Sequence, residues 1–222
     1  AKETEVVAMN TLTVNLHLML VSFYRPTKKR FKIVIEDDAF PSDIYAVESQ
    51  IKHHDVDVEK ALIRIKPRKG EFAVRTEDIE ELLDQHGESI ALIMLGGVNY
   101  YTGQVFDFKK ITKYAQLKGV NVGFDLAHAA GNINLKLHDW NVDFAVWCSY
   151  KYLNSGPGSV GGAFVHERHH NSQVPRFSGW WGHNKEDRFK MPDKFNPIKT
   201  VEGWQLSNPP ILSLAAIRSS LS

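Results

Sequence analysis

Only one cysteine, Cys148, stands in the 222 residues. No disulfide can close within the chain, so a reducing, cytosolic compartment is the expectation. No apolar run reaches the length of a membrane-spanning helix, the longest being interrupted by charges or histidine. No signal peptide shows at the start. No charge of one sign dominates: 27 Lys and Arg face 26 Asp and Glu, a net charge of +1. That balance gives no footing for nucleic acid or an anionic membrane surface. The short cluster Lys28-Lys29-Arg30 reads as a solvated loop edge. There is no internal repeat and no low-complexity tract. The glycine-rich stretch 154–162 lacks the Gly-Lys-Ser/Thr ending of a nucleotide P-loop, and a dinucleotide-binding domain is not expected. The pairs His53-His54 and His169-His170, with His138-Asp139, fit no standard zinc spacing, so no metal site is expected.

What remains is an ordinary globular composition, 43% hydrophobic and 24% charged, enough for one large domain. Short apolar runs alternate with longer amphipathic ones. Residues 31–36, 61–65, 89–95, 120–124, 142–148 and 159–165 read as strands. Residues 42–53, 76–86 and 107–118 read as helices, the second and third closed by Gly87 and Gly119. The opening AKETEVVAMNTLTVNLHLML reads straight into an amphipathic helix, and PPILSLAAIRSSLS stops inside another. The chain thus reads as one domain of a longer protein. Past residue 166 the sequence turns to Trp, Pro, Asn and His with little period, as loops and a surface helix would. Strand–helix alternation predicts an α/β three-layer sandwich with a mostly parallel sheet. Ligands of such sheets bind beyond the carboxyl ends of the strands. The segments to inspect are therefore 36–43, 96–103, 125–128 and 149–151.

Two residues there carry chemistry together that neither carries alone. A lysine after a strand is most often merely solvated. Lys151, however, leaves a fully apolar strand and precedes a glycine-rich turn, a setting that desolvates an amine and favours its neutral, nucleophilic form. Asp125 ends the preceding strand and by itself would cap a turn or helix. It is also the carboxylate that could pair with a pyridinium nitrogen and make that ring an electron sink. Phe40, Tyr150 and Trp180 taken singly read as packing or interface residues, and Cys148 as a buried, inert thiol.

The stretches FDLAHA (124–129) and CSYKYLNSGPG (148–158) resemble the fold-type I pyridoxal phosphate enzymes of the class V aminotransferase branch. Within that branch the resemblance is closest to the kynureninase family. NTLTVNLHLML (10–20), AFPSD (39–43), GVNYYTGQ (97–104), LHDWNVDFA (137–145), GWWGH (179–183) and LSNPPIL (206–212) extend it in consistent order over the whole chain.

The resemblance implies the large, cofactor-binding domain of such a transferase fold. A segment upstream, bearing a substrate-binding histidine, and a C-terminal small domain, bearing the arginine for the substrate carboxylate, would lie outside residues 1–222. It implies that Lys151 carries pyridoxal 5'-phosphate as a Schiff base, that Asp125 pairs with the ring nitrogen and that His128 lies beside the cofactor. Phe40 would stack on the ring, with Pro41, Ser42 and Asp43 lining the same turn. Leu12 and Thr13, at a helix start, would take the phosphate, which suits the physics of anions there. Tyr150 would bind the phosphate and donate a proton. Trp180 and Asn208 would reach the site across a homodimer interface. Gly96 departs from the family, which often has a hydroxyl residue there, and leaves only its backbone N–H for the phosphate. The implied activity is hydrolysis of the amino acid L-kynurenine or its 3-hydroxy form to alanine and the matching anthranilate, a step of tryptophan catabolism that leads toward NAD. An aminotransferase or cysteine desulfurase of the same fold would share residues 124–129 and 148–158, but GWWGH and AFPSD argue against it. Intact Lys151, Asp125 and Tyr150 argue against a fold that only binds.

Overall fold

Beta-branched and leucine-rich runs supply the strands, and in the computed structural model, which describes residues 1–222, they form a single seven-stranded sheet. In chain order the elements are β1 (Val6–Ala8), α1 (Leu12–Phe23), β2 (Lys32–Glu36), α2 (Pro41–His53), α3 (Val58–Ala61), β3 (Leu62–Ile65), α4 (Thr76–His86), β4 (Ile90–Gly96), α5 (Phe108–Leu117), β5 (Asn121–Asp125), β6 (Phe144–Trp147), β7 (Gly162–Val165) and α6 (Ile211–Ser220). The spatial order is β1-β7-β6-β5-β4-β2-β3. Strands β3, β2, β4, β5 and β6 pair in parallel. β7 runs antiparallel to both its neighbours, β6 and β1, so it alone opposes the other six.

Period-two alternation splits each strand between two cores. Ile33, Ile35, Met94, Phe144 and Val146 face α1 and α2, where they meet Leu16, Met19, Phe23, Val47 and Ile51. Val34, Ile93, Leu95, Phe124 and Ala145 face α4 and α5, against Ile79, Leu83, Phe108, Ile111 and Ala115. Helices therefore cover both faces, the expected three-layer sandwich. The helices obey their local signals. Pro41 occupies the first turn of α2, and Asp107 caps α5 by accepting from Lys110 N.

Three expectations change. The opening segment is not one amphipathic helix. Residues Glu3–Glu5 form a short 3-10 turn, Val6–Ala8 form β1, and the helix starts only at Leu12. The strand is set by its distant partner, Val6 pairing with Phe164 and Ala8 with Gly162, which no local pattern reveals. Nor is α1 amphipathic: Asn15, Leu16, Leu18, Met19, Leu20, Ser22 and Phe23 are all buried, because the sheet covers one side and the chain around Pro175 and Trp204 the other. The run 159–165 is a strand only from Gly162, and it is antiparallel. The stretch Gly156-Pro157-Gly158-Ser159-Val160-Gly161 has the spacing G-x-G-x-x-G. It leads into strand β7 rather than from a strand into a helix, so it is no dinucleotide fingerprint. Its glycines serve the reversal: Asn154, Gly156 and Gly158 take φ of 51°, 83° and 72°, the left-handed region, and turn the chain back for antiparallel β7. The tail past 166 is loops, 3-10 turns and α6, none of whose residues is buried.

Candidate active site

Five chain segments converge at the carboxyl ends of the parallel strands. β2 ends in Glu36 and leads into Phe40 and the start of α2. β4 ends in Gly96, β5 in Asp125, and β6 leads into Cys148-Ser149-Tyr150-Lys151. The N-terminus of α1 completes the ring. Together they enclose a cavity of about 410 Å³, within the size range of small-molecule sites.

Lys151 is half-buried, and its Nζ lies 3.0 Å from His128 Nε2 and 5.7 Å from the centre of the Phe40 ring. Burial lowers the His128 pKa and the Lys151 charge lowers it further, so the imidazole is neutral and its Nε2 is the acceptor. Asp125 is buried, and its Oδ1 accepts from Ala127 N at 2.7 Å. Asp125 thus caps the turn and lines the cavity at once. Asp43 approaches Asp125 from the first turn of α2. Burial raises the Asp43 carboxyl well above its ordinary range, and the Asp125 charge adds to it. Burial raises Asp125 as well, but the Asp43 hydroxyl, the Ala127 N–H and Lys151 all hold it back. Of the pair, Asp43 is raised the more strongly, so it holds a proton more tightly than Asp125. Tyr150 is half exposed; burial first, then Cys148, raises its phenol, so it stays a proton donor. At the start of α1, Asn15 N is the first to bond back to Thr11 O, so the Leu12 and Thr13 N–H groups point outward unpaired within the helix. Thr13 Oγ1 and Ser42 Oγ lie 2.9 Å apart and tie that helix start to α2.

Leu12, Thr13, Phe40, Ser42, Asp43, Gly96, Asp125, His128, Tyr150 and Lys151 all line the cavity. Three expected residues do not. Pro41 only opens α2. Trp180 packs edge-on against Phe189, ring centres 5.9 Å apart, and Asn208 is exposed to solvent. The Gly96 N–H is not free for a phosphate either: it donates to both carboxylate oxygens of Glu36, at 3.1 Å each. Glu36, Val98, Asn99, Tyr100 and Ala127 line the cavity without having been singled out. Glu36 and Tyr100 lay in the segments marked for inspection, but acids and tyrosines near strand ends are common, and only the fold makes them neighbours.

A second polar cluster joins Glu5, His138 and His166, their ligand atoms within 4.8 Å of one another. The two imidazoles are stacked, 4.8 Å apart and inclined by 14°. Lone pairs lying in near-parallel planes do not converge on one ion at about 2 Å. His166 Nδ1 also accepts from Arg168 N, and Glu5 Oε1 from Glu167 N. The cluster is a satisfied polar core.

The family description "Aminotransferase class-V" matches residues 1–183. The chain belongs to the class-V aminotransferase family. Proteins named kynureninase are similar along all of it. That of Myxococcus xanthus (strain DK1622) is 63% identical over 222 residues, and that of Nematostella vectensis 57%. The Mus musculus kynureninase is 54% identical over 221 residues. The chain spans about half the length of these relatives, 52%, 48% and 48% respectively. Among solved structures, an apo cysteine desulfurase from Thermococcus onnurineus NA1 superposes with a TM-score of 0.76 at 20% identity, covering all of this chain and 53% of that one. A cystine C-S lyase, C-DES, in complex with its product cysteine persulfide superposes at 0.79 and 17% identity, covering all of this chain and 56% of that one. These likenesses establish the shared fold.

Pyridoxal phosphate is the cofactor of this class-V chain, and the site fits it on its own terms. An amine, a buried carboxylate, an aromatic face and an anion-favouring helix start surround one cavity. Asp43 Oδ1 is moreover a buried polar atom with no hydrogen-bond partner.

Proposed function

We propose that the protein to which this chain belongs hydrolyses L-kynurenine or 3-hydroxy-L-kynurenine to anthranilate or 3-hydroxyanthranilate and L-alanine. The observation that carries this reading is the chain-long identity of 54–63% to proteins named kynureninase, joined to a cavity whose residues suit the chemistry.

Lys151 would bear the cofactor, Asp125 would hold a proton on its ring nitrogen, Phe40 would cover a ring face, and Leu12, Thr13 and Ser42 would take the phosphate. When bound, pyridoxal phosphate supplies a carbonyl that accepts the substrate amine and a ring that withdraws charge from the substrate α-carbon. The Lys151 amine is the base within the cavity that removes the α-proton, and His128 Nε2 orients it through the 3.0 Å contact. Asp125 is the more readily ionised of the pair because Asp43 holds a proton more tightly. The Tyr150 hydroxyl, exposed to the cavity and protonated, delivers a proton to the departing alanine carbon. Lys151 is the only Lys or Arg lining the cavity. The substrate carboxylate is therefore gripped by a cation outside these segments.

We also propose a homodimer in which a second subunit brings Trp180 and Asn208 to the site, and a cytosolic setting. The dimer's support is the family resemblance together with the exposure of Asn208 and Trp180, and the setting's is the single cysteine. Sedimentation of the whole protein tests the first, and fractionation of cells producing it tests the second. The activity is tested by adding kynurenine to the whole protein loaded with pyridoxal phosphate. Fluorescent anthranilate and alanine in equal amounts are expected. Accumulation of a 2-oxo acid without anthranilate would point to an aminotransferase of the same fold.

A further inference from the structure

One buried acid of the cavity has no part in that chemistry. Glu36 closes β2, is 4% exposed and lines the cavity. Both its oxygens accept the Gly96 N–H at 3.1 Å, and Oε1 also faces Asn99 Nδ2 at 3.4 Å. Asn99 is in turn a hub. Its Nδ2 donates to Asp38 O at 3.3 Å, and its Oδ1 accepts from Tyr101 N and Thr102 N at 2.9 Å and from Thr102 Oγ1 at 3.2 Å. The two loops tied together in this way carry the aromatic rings at the cavity mouth. Phe40 lies two residues past Asp38, and Tyr100 adjoins Asn99. The rings meet edge to face, centres 5.4 Å apart at 84°. Neither is held by burial, since Phe40 is 47% and Tyr100 44% exposed. Their orientation must come from the backbone that bears them. Gly96 takes part: a Cβ there would stand 2.8 Å from Glu36 Oε1, so only glycine lets the carboxylate seat on the N–H undisturbed.

We propose that Glu36 is a positioning residue, which clamps the ends of β2 and β4 to Asn99 and thereby fixes the Phe40–Tyr100 wall against which the cofactor ring rests. Around it stand Asp125 on β5 and Asp43 on α2, with Lys151 the cation facing those acids. Burial pushes Glu36 up to about 7, and Asp125 adds to it. An acid in that company costs stability that an apolar spacer would not. What Glu36 supplies instead is two acceptors facing three donor contacts. The inference rests on the cavity being a cofactor pocket for only one of its two readouts.

The test compares the whole protein with Glu36→Ala, Glu36→Gln and Gly96→Ala. Glu36→Gln keeps the shape and one acceptor; Gly96→Ala displaces Oε1 without removing the acid, and decides the matter if Glu36→Ala does not fold. Amide exchange is read without added cofactor. Glu36→Ala and Gly96→Ala should speed exchange at Gly96, Tyr101 and Thr102 roughly tenfold, the loss of a hydrogen bond to a charged group. Leu92 to Met94, inside β4, should not change. Glu36→Gln should restore protection to within about threefold. Titration with pyridoxal phosphate, read by absorption, should show affinity falling roughly tenfold in the same two variants and recovering in Glu36→Gln. Wild-type exchange in both Glu36→Ala and Gly96→Ala would overturn the clamp. So would faster exchange with unaltered cofactor affinity, or a failure of Glu36→Gln to restore either. If the wild type itself shows no Lys151-dependent absorption band, the proposed function falls, and the exchange rates still decide on Glu36.

Discussion

Lys151 Nζ lies 3.0 Å from His128 Nε2, so the one amine of the cavity is held by a neutral ring rather than by a carboxylate. Replacing His128 by Phe keeps the ring and deletes the acceptor. We expect kcat for kynurenine in the whole protein to fall roughly tenfold with KM little changed, the effect of one hydrogen bond to a charged donor. Unaltered kcat would show that Lys151 is positioned by other means.

Asp125→Asn tests the electronic half of the site. The amide still accepts from Ala127 N and preserves the turn, but it cannot hold a proton on a ring nitrogen. Turnover should drop on the order of a hundredfold or more while pyridoxal phosphate still binds through Lys151. Turnover at wild-type level with bound cofactor would remove Asp125 from its assigned role.

Glu36 gives a stability dependence of unusual sign for an acid. Its pKa rises from 4.5 to about 7 on folding, so the folded state binds the proton more tightly than the unfolded chain. The stabilisation is fully present below pH 4.5, is lost as pH rises to about 7, and is constant beyond. At 1.36 kcal/mol per unit, the loss is about 3 kcal/mol. Urea unfolding across this window should show the wild type declining relative to Glu36→Gln by that order. Parallel curves for the two proteins would contradict it.

Gly162 tests packing on β7. A Cβ there would collide with the Trp147 indole on β6, its register partner. Gly162→Ala should cost about 1–3 kcal/mol, as overpacking does, and lower the thermal midpoint accordingly. An unchanged midpoint would mean that Trp147 shifts freely.

Much of this is legible in the sequence. Continuous apolar runs marked β4 and β6, and polar residues just beyond strand ends marked Asp125 and Lys151, because a parallel sheet must place them together. The family motifs then assigned ten residues that the fold does gather around one cavity. The failures have a common cause in long-range contacts. β1 exists through pairing with Phe164 and Gly162, far along the chain. Glu36 matters because Gly96, sixty residues on, donates to it. That same bond removes the Gly96 N–H from phosphate duty. Trp180 and Asn208 stay outside the cavity because nothing within one chain carries them there.

The most direct test of the account is the visible absorption spectrum of the whole protein after addition of pyridoxal phosphate, in wild type and in Lys151→Ala. A shifted cofactor band that resists dialysis is expected in the wild type and not in Lys151→Ala. Identical spectra for the two proteins would contradict it.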